Sequence, residues 1–252
     1  MSVIRHAVIT GGGIGIGLSI ARGLAHDGFA LSLLRRDRSR LERAASDIGN
    51  AKVVACNVTD TESVSAAFNQ ATANHGPIGV LVNNAGIVRT APFLKQTDAD
   101  WNGMWQTNVL GAVNTIRQVI DSMRSHGDGG IINIASTAAL KAYDYSSAYV
   151  ATKHALLGLT RSLDIELAAT RVTVNAVCPG CTDTDIIRTA VNTIIRKTGK
   201  TLKEARAAFT AANPQDRLIE PEEIAGAVRW LVRPDSRSIT GQAIAIAGGE
   251  VM

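Results

Sequence analysis

Short apolar runs of strand length recur along the chain, separated by segments whose apolar residues repeat at helical spacing. The runs are Ala7 to Thr10, Ala30 to Leu34, Val53 to Cys56, Val80 to Val82, Ile131 to Ala135, Val172 to Val177 and Ala243 to Ala247. Each is apolar nearly throughout instead of at alternate positions, as expected of strands covered on both faces. The helical segments between them supply the covers through right-handed crossovers between parallel strands. The pattern predicts an α/β fold: a single-domain, Rossmann-type doubly wound parallel sheet of about seven strands, spanning 1–252, with helices on both faces. Four helical stretches stand out. One runs through Ser19, Ala21, Leu24 and Ala25, and one runs from Asp98 to about Ser125 with Asn108 interrupting its apolar face. A third starts near Ser146, and a fourth is begun by Glu220-Pro221-Glu222-Glu223.

Composition narrows this little further. With 252 residues, 46% hydrophobic and 19% charged, the chain can bury one sizeable core, and no linker-like stretch divides it. No apolar run approaches a spanning helix, and Val3-Ile4-Arg5-His6 leads into the first strand without a leader pattern, so no membrane partner is expected and the cytoplasm is the default compartment. Three cysteines are too few, and odd in number, for a disulfide framework. Cys178-Pro-Gly-Cys181 has the spacing of a redox dithiol, but it follows a strand late in the repeating pattern, not in a thioredoxin-like setting. A net charge of +4 comes without a basic stripe interleaved with aromatics, so no nucleic-acid partner is expected. No metal is expected either. The charge is concentrated locally in Arg35, Arg36, Arg38, Arg40 and Arg43, and again in Arg188, Arg196, Lys197, Lys200, Lys203 and Arg206.

Candidate chemistry lies at the strand ends. The first strand is followed by Thr10-Gly-Gly-Gly-Ile-Gly-Ile-Gly17, placing Gly11, Gly13, Ile14, Gly15, Ile16 and Gly17 between a strand and a helix. Glycines there permit a tight turn and close approach of backbone N–H groups to a pyrophosphate at the positive helix end. The second strand ends at Arg35-Arg36-Asp37. Arginine pairs with a 2′-phosphate whereas an acid reads a free ribose, so NADP(H) is favoured over NAD(H), with Asp37 as the competing feature. Asn57-Val58 follows the third strand, where an adenine edge could be held, and Asn83-Asn84-Ala85-Gly86 follows the fourth, its paired carboxamides able to brace neighbouring strands and Gly86 able to let a cofactor pass close to backbone. Ser136 follows the fifth, and Tyr149-Val-Ala-Thr-Lys153 begins thirteen residues later on a helix. Residues four apart share a helix face, so the Lys153 ammonium can stabilise a Tyr149 phenolate and bring it towards the range of a general acid/base. Buried Asn108 reads either as a structural brace or as the holder of an ordered water.

This ordered set, with Asn175-Ala-Val-Cys-Pro-Gly180 and Ile239-Thr-Gly-Gln-Ala, resembles the short-chain dehydrogenase/reductase family, particularly its 3-oxoacyl reductases. The resemblance implies catalysis by Ser136, Tyr149 and Lys153, with Asn108 completing a tetrad by holding a water in the proton relay. Tyr149 would protonate a carbonyl oxygen as hydride arrives, Ser136 would orient that oxygen, and Lys153 would bind the nicotinamide ribose. Pro179, Gly180, Thr182 and Thr184 would flank the nicotinamide. Nearby Tyr143, Tyr145, Ser146 and Ser147 lack the matching lysine and serine. The family also implies a dimer or tetramer, to which the apolar strand from Ala243 could contribute. Three departures stand out: Asn57 replaces a usual aspartate, Ile14 a residue often basic in NADP users, and Arg171 a helix-ending glycine, so that helix should end without a residue of positive φ.

The segment of about 184–213 corresponds to the family's substrate lid. It carries the second basic cluster, set against Glu204, which would attract an anionic handle such as coenzyme A or carrier-bound phosphopantetheine; a solvated helix face is the other reading. The expected function is NAD(P)-dependent interconversion of a ketone and a secondary alcohol, foremost a 3-oxoacyl thioester. Oxidation of a small cyclic or secondary alcohol is the alternative enzyme, and a dinucleotide-binding regulator the non-enzyme alternative.

Overall fold

The computed structural model describes residues 5–37, 41–42 and 45–251; Arg38, Arg40 and Arg43 of the first basic cluster lie outside them. Seven strands form one parallel sheet: β1 (His6–Thr10), β2 (Ala30–Arg35), β3 (Ala51–Ala55), β4 (Val80–Asn83), β5 (Gly129–Ile134), β6 (Val172–Pro179) and β7 (Ala243–Ile246). Their order is β3-β2-β1-β4-β5-β6-β7, so the winding reverses between β1 and β4 and opens a crevice at the carboxyl ends of those strands. The apolar runs locate every strand, with ends one or two residues off. β1, β4, β5 and β6 are buried along their whole length, which accounts for their unbroken hydrophobicity.

Consecutive strand residues serve opposite cores. Ile9, Leu33 and Val82 pack with Ile20, Leu24, Ile224 and Val228 on one face. Val8, Leu34 and Leu81 pack with Val64, Phe68, Ile116 and Leu163 on the other. Each such side chain contributes roughly 1.5–3 kcal/mol on burial. The covering helices are α1 (Gly15–His26) and α2 (Thr61–His75), then α3 (Asp98–Trp105), α4 (Gly111–Arg117), α5 (Ile120–His126), α6 (Ser147–Leu167), α7 (Asp185–Thr198), α8 (Leu202–Thr210) and α9 (Pro221–Leu231). Local caps set several starts: Asp60 accepts from the N–H groups of Glu62 and Ser63, and Thr97 with Asp100 and Thr201 with Glu204 form capping boxes.

Two expectations fail. The helix predicted from Asp98 to about Ser125 is interrupted by a π-helical turn at Gln106–Leu110 and again between Arg117 and Ile120. The wide turn admits one extra residue and rotates Asn108 inward, a shift of phase that an unbroken 3.6-residue period does not contain. Arg171 does adopt the left-handed conformation (φ 62, ψ 13), so the residues after α6 end through positive φ despite the missing glycine. That costs on the order of 1 kcal/mol. The Arg171 carbonyl is held by Arg237 Nη1 at 3.2 Å.

Candidate active site

At the crevice, the turn after β1 is built from glycines that tolerate no side chain. Gly11 and Gly15 have positive φ. A Cβ on Gly17 would stand 2.4 Å from the Gly11 carbonyl oxygen and 2.6 Å from Asn84 Nδ2. The same Nδ2 donates to the carbonyls of Thr10 and Gly11 at 3.0 and 3.3 Å. Thr10 Oγ1 accepts from the N–H groups of Asn84 and Ala85 at 3.0 and 2.9 Å. Thr10 and the Asn84 side chain thus brace the turn, joining the end of β1 to the loop after β4. α1 then starts at Ile14 with no side-chain cap and no acid in its first turn, leaving its leading N–H groups for an anion. Thr184 covers the turn, its methyl 3.2 Å from where a Cβ on Gly15 would be. A cavity of about 240 Å³ lies there, lined by Gly13, Ile14, Gly15, Arg22, Thr184 and Arg188 together with the carboxylates Asp183, Asp185 and Glu222. The part of it formed by the uncapped N–H groups of the glycine turn fits a dinucleotide pyrophosphate.

Towards the adenosine side, Arg35 is half-buried at the end of β2 and Arg36 is exposed; neither forms an ion pair among the described residues. Asn57 Oδ1 accepts from Thr59 N at 3.3 Å and Thr59 Oγ1 at 3.0 Å, an Asx turn that consumes the oxygen an aspartate would have offered. The carbonyl of Val58 accepts from Asn114 Nδ2 at 3.0 Å, and its side chain fills the space beside Gly111, where a Cβ would stand 2.9 Å away.

The catalytic candidates converge at the ends of β5 and β6. Ser136 opens a short 3-10 turn, Thr137–Ala139, its Oγ accepting from Ala138 N at 3.1 Å. Tyr149 and Lys153 lie one turn apart on α6, Lys153 Nζ 5.7 Å from the Tyr149 ring centre and donating to the Ile134 carbonyl at 2.9 Å. Burial pushes the Lys153 pKa down to about 8, opposed weakly by the Cys178 thiol. Burial likewise pushes the Tyr149 phenol above its ordinary 10, against a hydrogen bond with Ser136 that acts to lower it. Desolvation is the larger effect on the phenol, and the Lys153 amine is engaged by a backbone carbonyl.

Asn108 is 2% exposed, and its carboxamide is largely committed. Oδ1 accepts from Ile87 N at 2.8 Å, while Nδ2 donates to the Ile87 carbonyl at 2.9 Å and to Thr152 Oγ1 at 3.1 Å. Thr152 in turn donates to the Tyr149 carbonyl at 2.7 Å. This side chain ties the loop after β4 to the helix carrying Tyr149. Gly86 lets these groups approach, since a Cβ there would lie 3.3 Å from Asn108 Oδ1 and 3.8 Å from Lys153 Nζ.

Beyond β6, Gly180 N donates to the Ile246 carbonyl at 3.0 Å, and Thr182 Oγ1 to the Gly180 carbonyl at 2.9 Å, fixing the turn from Pro179 to Thr184. Burial pushes the Cys178 thiol up to about 11 and raises Cys181 as well, the opposite of what a redox dithiol needs.

Asn83 braces the neighbouring strand, as its place after the fourth run suggests, through a partner absent from the sequence reading. Asn83 and Asn133 lie opposite each other in β4 and β5, joined Nδ2 to Oδ1 at 3.0 Å, with Thr115 donating to Asn83 at 2.6 Å and Asn133 to Thr160 at 2.9 Å. Together they lock the strands that present Gly86 and Ser136, and the signal available for Asn133 was an asparagine inside the apolar run Ile131 to Ala135. Tyr143, set aside as a bystander, is bonded to Thr137 and Glu250. In the lid segment Asp183 and Asp185 were overlooked as counter-charges: Arg188 pairs with both, at 2.9 and 3.6 Å, and Arg206 with Asp183 at 3.8 Å. Arg196, Lys197, Lys200 and Lys203 form no ion pair among the described residues.

Comparison with known proteins agrees with this geometry. The family described as short chain dehydrogenase matches residues 5–194. The chain is 35% identical to acetoacetyl-CoA reductase of Cupriavidus necator, over 97% of each chain. It is 36% identical to galactitol 2-dehydrogenase (L-tagatose-forming) of Cereibacter sphaeroides, over 96% of this chain and 93% of that one. A crystal structure of an actinorhodin polyketide ketoreductase variant with NADPH superposes with a TM-score of 0.93 at 32% identity, covering 98% and 97% of the two chains. Among the described residues no helix is long and apolar enough to cross a membrane.

Proposed function

The chain belongs to the short-chain dehydrogenase family and is an oxidoreductase acting on carbonyl and CH–OH groups, and on that premise we propose that it reduces a 3-oxoacyl thioester with NADPH. One observation carries the reading: half-buried Ser136 and Tyr149 and buried Lys153 meet at the sheet's carboxyl edge, beside the glycine cradle. A bound nicotinamide dinucleotide supplies the hydride. Tyr149 delivers the proton to the carbonyl oxygen, and its raised pKa supports a donor that stays protonated near neutrality. Ser136 donates a hydrogen bond to the same oxygen and fixes its approach. Lys153 holds the nicotinamide ribose, and Asn108 keeps the helix carrying Tyr149 in register with the loop after β4. Arg35 and Arg36, free of acidic partners among the described residues, support recognition of a 2′-phosphate.

The thioester is supported by the acetoacetyl-CoA reductase relative and by Arg196 and Lys197 on α7, Lys203 on α8 and Lys200 between them, a basic segment that we read as the lid. A second enzyme reading, oxidation of a secondary alcohol, is supported by the galactitol 2-dehydrogenase relative. The edge strand β7, partly exposed along apolar Ala243–Ile246, supports a homo-oligomer, a dimer or tetramer. The test is turnover followed at the nicotinamide absorbance with both cofactors, against a 3-oxoacyl-CoA and a polyol panel. Tyr149→Phe should abolish activity, a loss of about a hundredfold or more, with cofactor still bound. Retained turnover in that variant would end the proton-donor assignment.

A further inference from the structure

A carboxylate nearly shut off from solvent, with its side chain 4% exposed, stands beside the catalytic cluster and takes no part in the chemistry above. It belongs to Glu250, in the segment after β7. Lys141 Nζ lies 3.0 Å from its Oε1, and the Tyr143 hydroxyl bonds to the same oxygen. Tyr143 Oη is also 2.5 Å from Thr137 Oγ1. A carboxylate only accepts, so Tyr143 donates to Glu250, and Thr137 must then donate to Tyr143. Lys141 Nζ packs over the Tyr143 ring, 5.0 Å from its centre. On the other side Glu250 Oε2 meets Gly180, where an added Cβ would be only 3.0 Å away.

These contacts join two segments that flank the Tyr149 phenol. Thr137 immediately follows Ser136, and Gly180 begins the turn after β6. Removing the Glu250 carboxylate would leave the Tyr143 hydroxyl and the half-buried Lys141 ammonium without their shared acceptor.

We propose that Glu250 is a positioning residue for the reaction: through Tyr143, Thr137 and Lys141 it clamps the Ser136-bearing turn against Gly180, so that Ser136 and Tyr149 meet the substrate oxygen in one arrangement. It rests on the reading of Ser136 and Tyr149 given above, and Glu250 acts through its neighbours and not on the reacting atoms.

The test uses the full chain carrying Glu250→Ala, Glu250→Gln, Tyr143→Phe and the double variant Tyr143→Phe/Glu250→Ala. Glu250→Ala should lower kcat about tenfold or more, with cofactor Kd held within about twofold, because misplacing reacting groups by a fraction of an ångström is costly. Glu250→Gln, which still accepts from Tyr143, should recover most of that loss. The double variant should be no worse than the poorer single one, as for members of one network. Unchanged kcat in Glu250→Ala, or a loss that glutamine does not relieve, overturns the proposal; should Glu250→Ala fail to fold, kcat of Tyr143→Phe decides. A further readout is independent of turnover. Cys181 is the one partly exposed cysteine, beside Glu250, while Cys56 and Cys178 are buried. Burial and then the Glu250 charge hold the Cys181 thiol up, and alanine and glutamine both remove that charge, so alkylation of Cys181 should be faster in Glu250→Ala than in Glu250→Gln, and equal rates remove the clamp even where the parent turns over no ketone. A parent active in a Tyr149-dependent manner, with a Glu250→Ala variant equally active, leaves the site reading intact and refutes only the clamp.

Discussion

Lys153 Nζ sits 5.7 Å from the centre of the Tyr149 ring and gives a hydrogen bond to the carbonyl of Ile134, at the end of β5. The amine is therefore anchored to the strand that leads into Ser136, and the helix carrying Tyr149 is fixed to the sheet through it. A buried amine held by one neutral acceptor gives up its proton more readily than a free lysine, hence its pKa near 8.

This shift has a stability consequence with a definite sign. Between about pH 8 and the ordinary lysine value of 10.5, the unfolded chain binds a proton that the folded chain lacks at Lys153. Unfolding free energy therefore gains a positive slope with pH in that window, and the penalty for burying the charge is present in full below it. Denaturant midpoints of the cofactor-free protein at pH 7.5 and 10, compared with Lys153→Met, should converge as pH rises. Parallel behaviour of the two proteins would contradict the buried amine.

Ser136→Ala removes the hydroxyl next to the Tyr149 phenol while leaving the backbone of the 3-10 turn. We expect kcat to fall by about 10²–10³, with little change in cofactor affinity, as for loss of one donor to a developing oxyanion. An equal loss of cofactor binding would indicate that the turn itself had moved.

Gly17→Ala should cost cofactor binding and stability together. Its Cβ would meet the Gly11 carbonyl oxygen at 2.4 Å and Asn84 Nδ2 at 2.6 Å, and both belong to the braced turn, which has little room to yield. A loss of roughly 1–3 kcal/mol in unfolding free energy is expected, as for overpacked sites. A variant with the parent's thermal midpoint and cofactor Kd would show the turn to be looser than this geometry.

Arg35→Ala and Arg36→Ala should weaken NADPH binding more than NADH binding. Loss of one charge-assisted contact to a phosphate amounts to about 1.5–3 kcal/mol, or roughly tenfold to a hundredfold in Kd. Equal effects on both cofactors, or a parent that uses NADH alone, would transfer the reading to Asp37.

Replacing Arg196, Lys197, Lys200 and Lys203 by glutamine should raise KM for a 3-oxoacyl-CoA and leave an uncharged 3-oxo ester unaffected. Arg188 and Arg206 are left in place because Asp183 holds them. The difference between the two substrates should shrink at high salt, since exposed charges are screened within about 10 Å at 0.1 M. Identical salt responses would reduce the cluster to a solvated helix face.

Much of this was legible in the chain itself. Continuous apolar runs placed the seven strands, and in β1, β4, β5 and β6 they are continuous because burial on both sheet faces leaves no room for polar alternation, as Val8 and Ile9 or Leu81 and Val82 show by serving opposite cores. The glycine turn and the Tyr149/Lys153 spacing were equally readable, being local consequences of strand-to-helix geometry and of helical period. What the sequence could not decide were relations between groups far apart along it. The π turn that brings Asn108 to Ile87 and Thr152 depends on packing across α6, and Arg171 takes positive φ where the chain must turn into β6. Whether Lys153 lowers the Tyr149 pKa is a contest between charge and desolvation, and burial, a property of the folded whole, enters that contest only with the tertiary structure. Glu250 gave no local signal at all. Only closing the sheet at β7 carries its carboxylate more than a hundred residues back to Tyr143 and Lys141, where exclusion of solvent turns an ordinary surface side chain into part of the active-site wall.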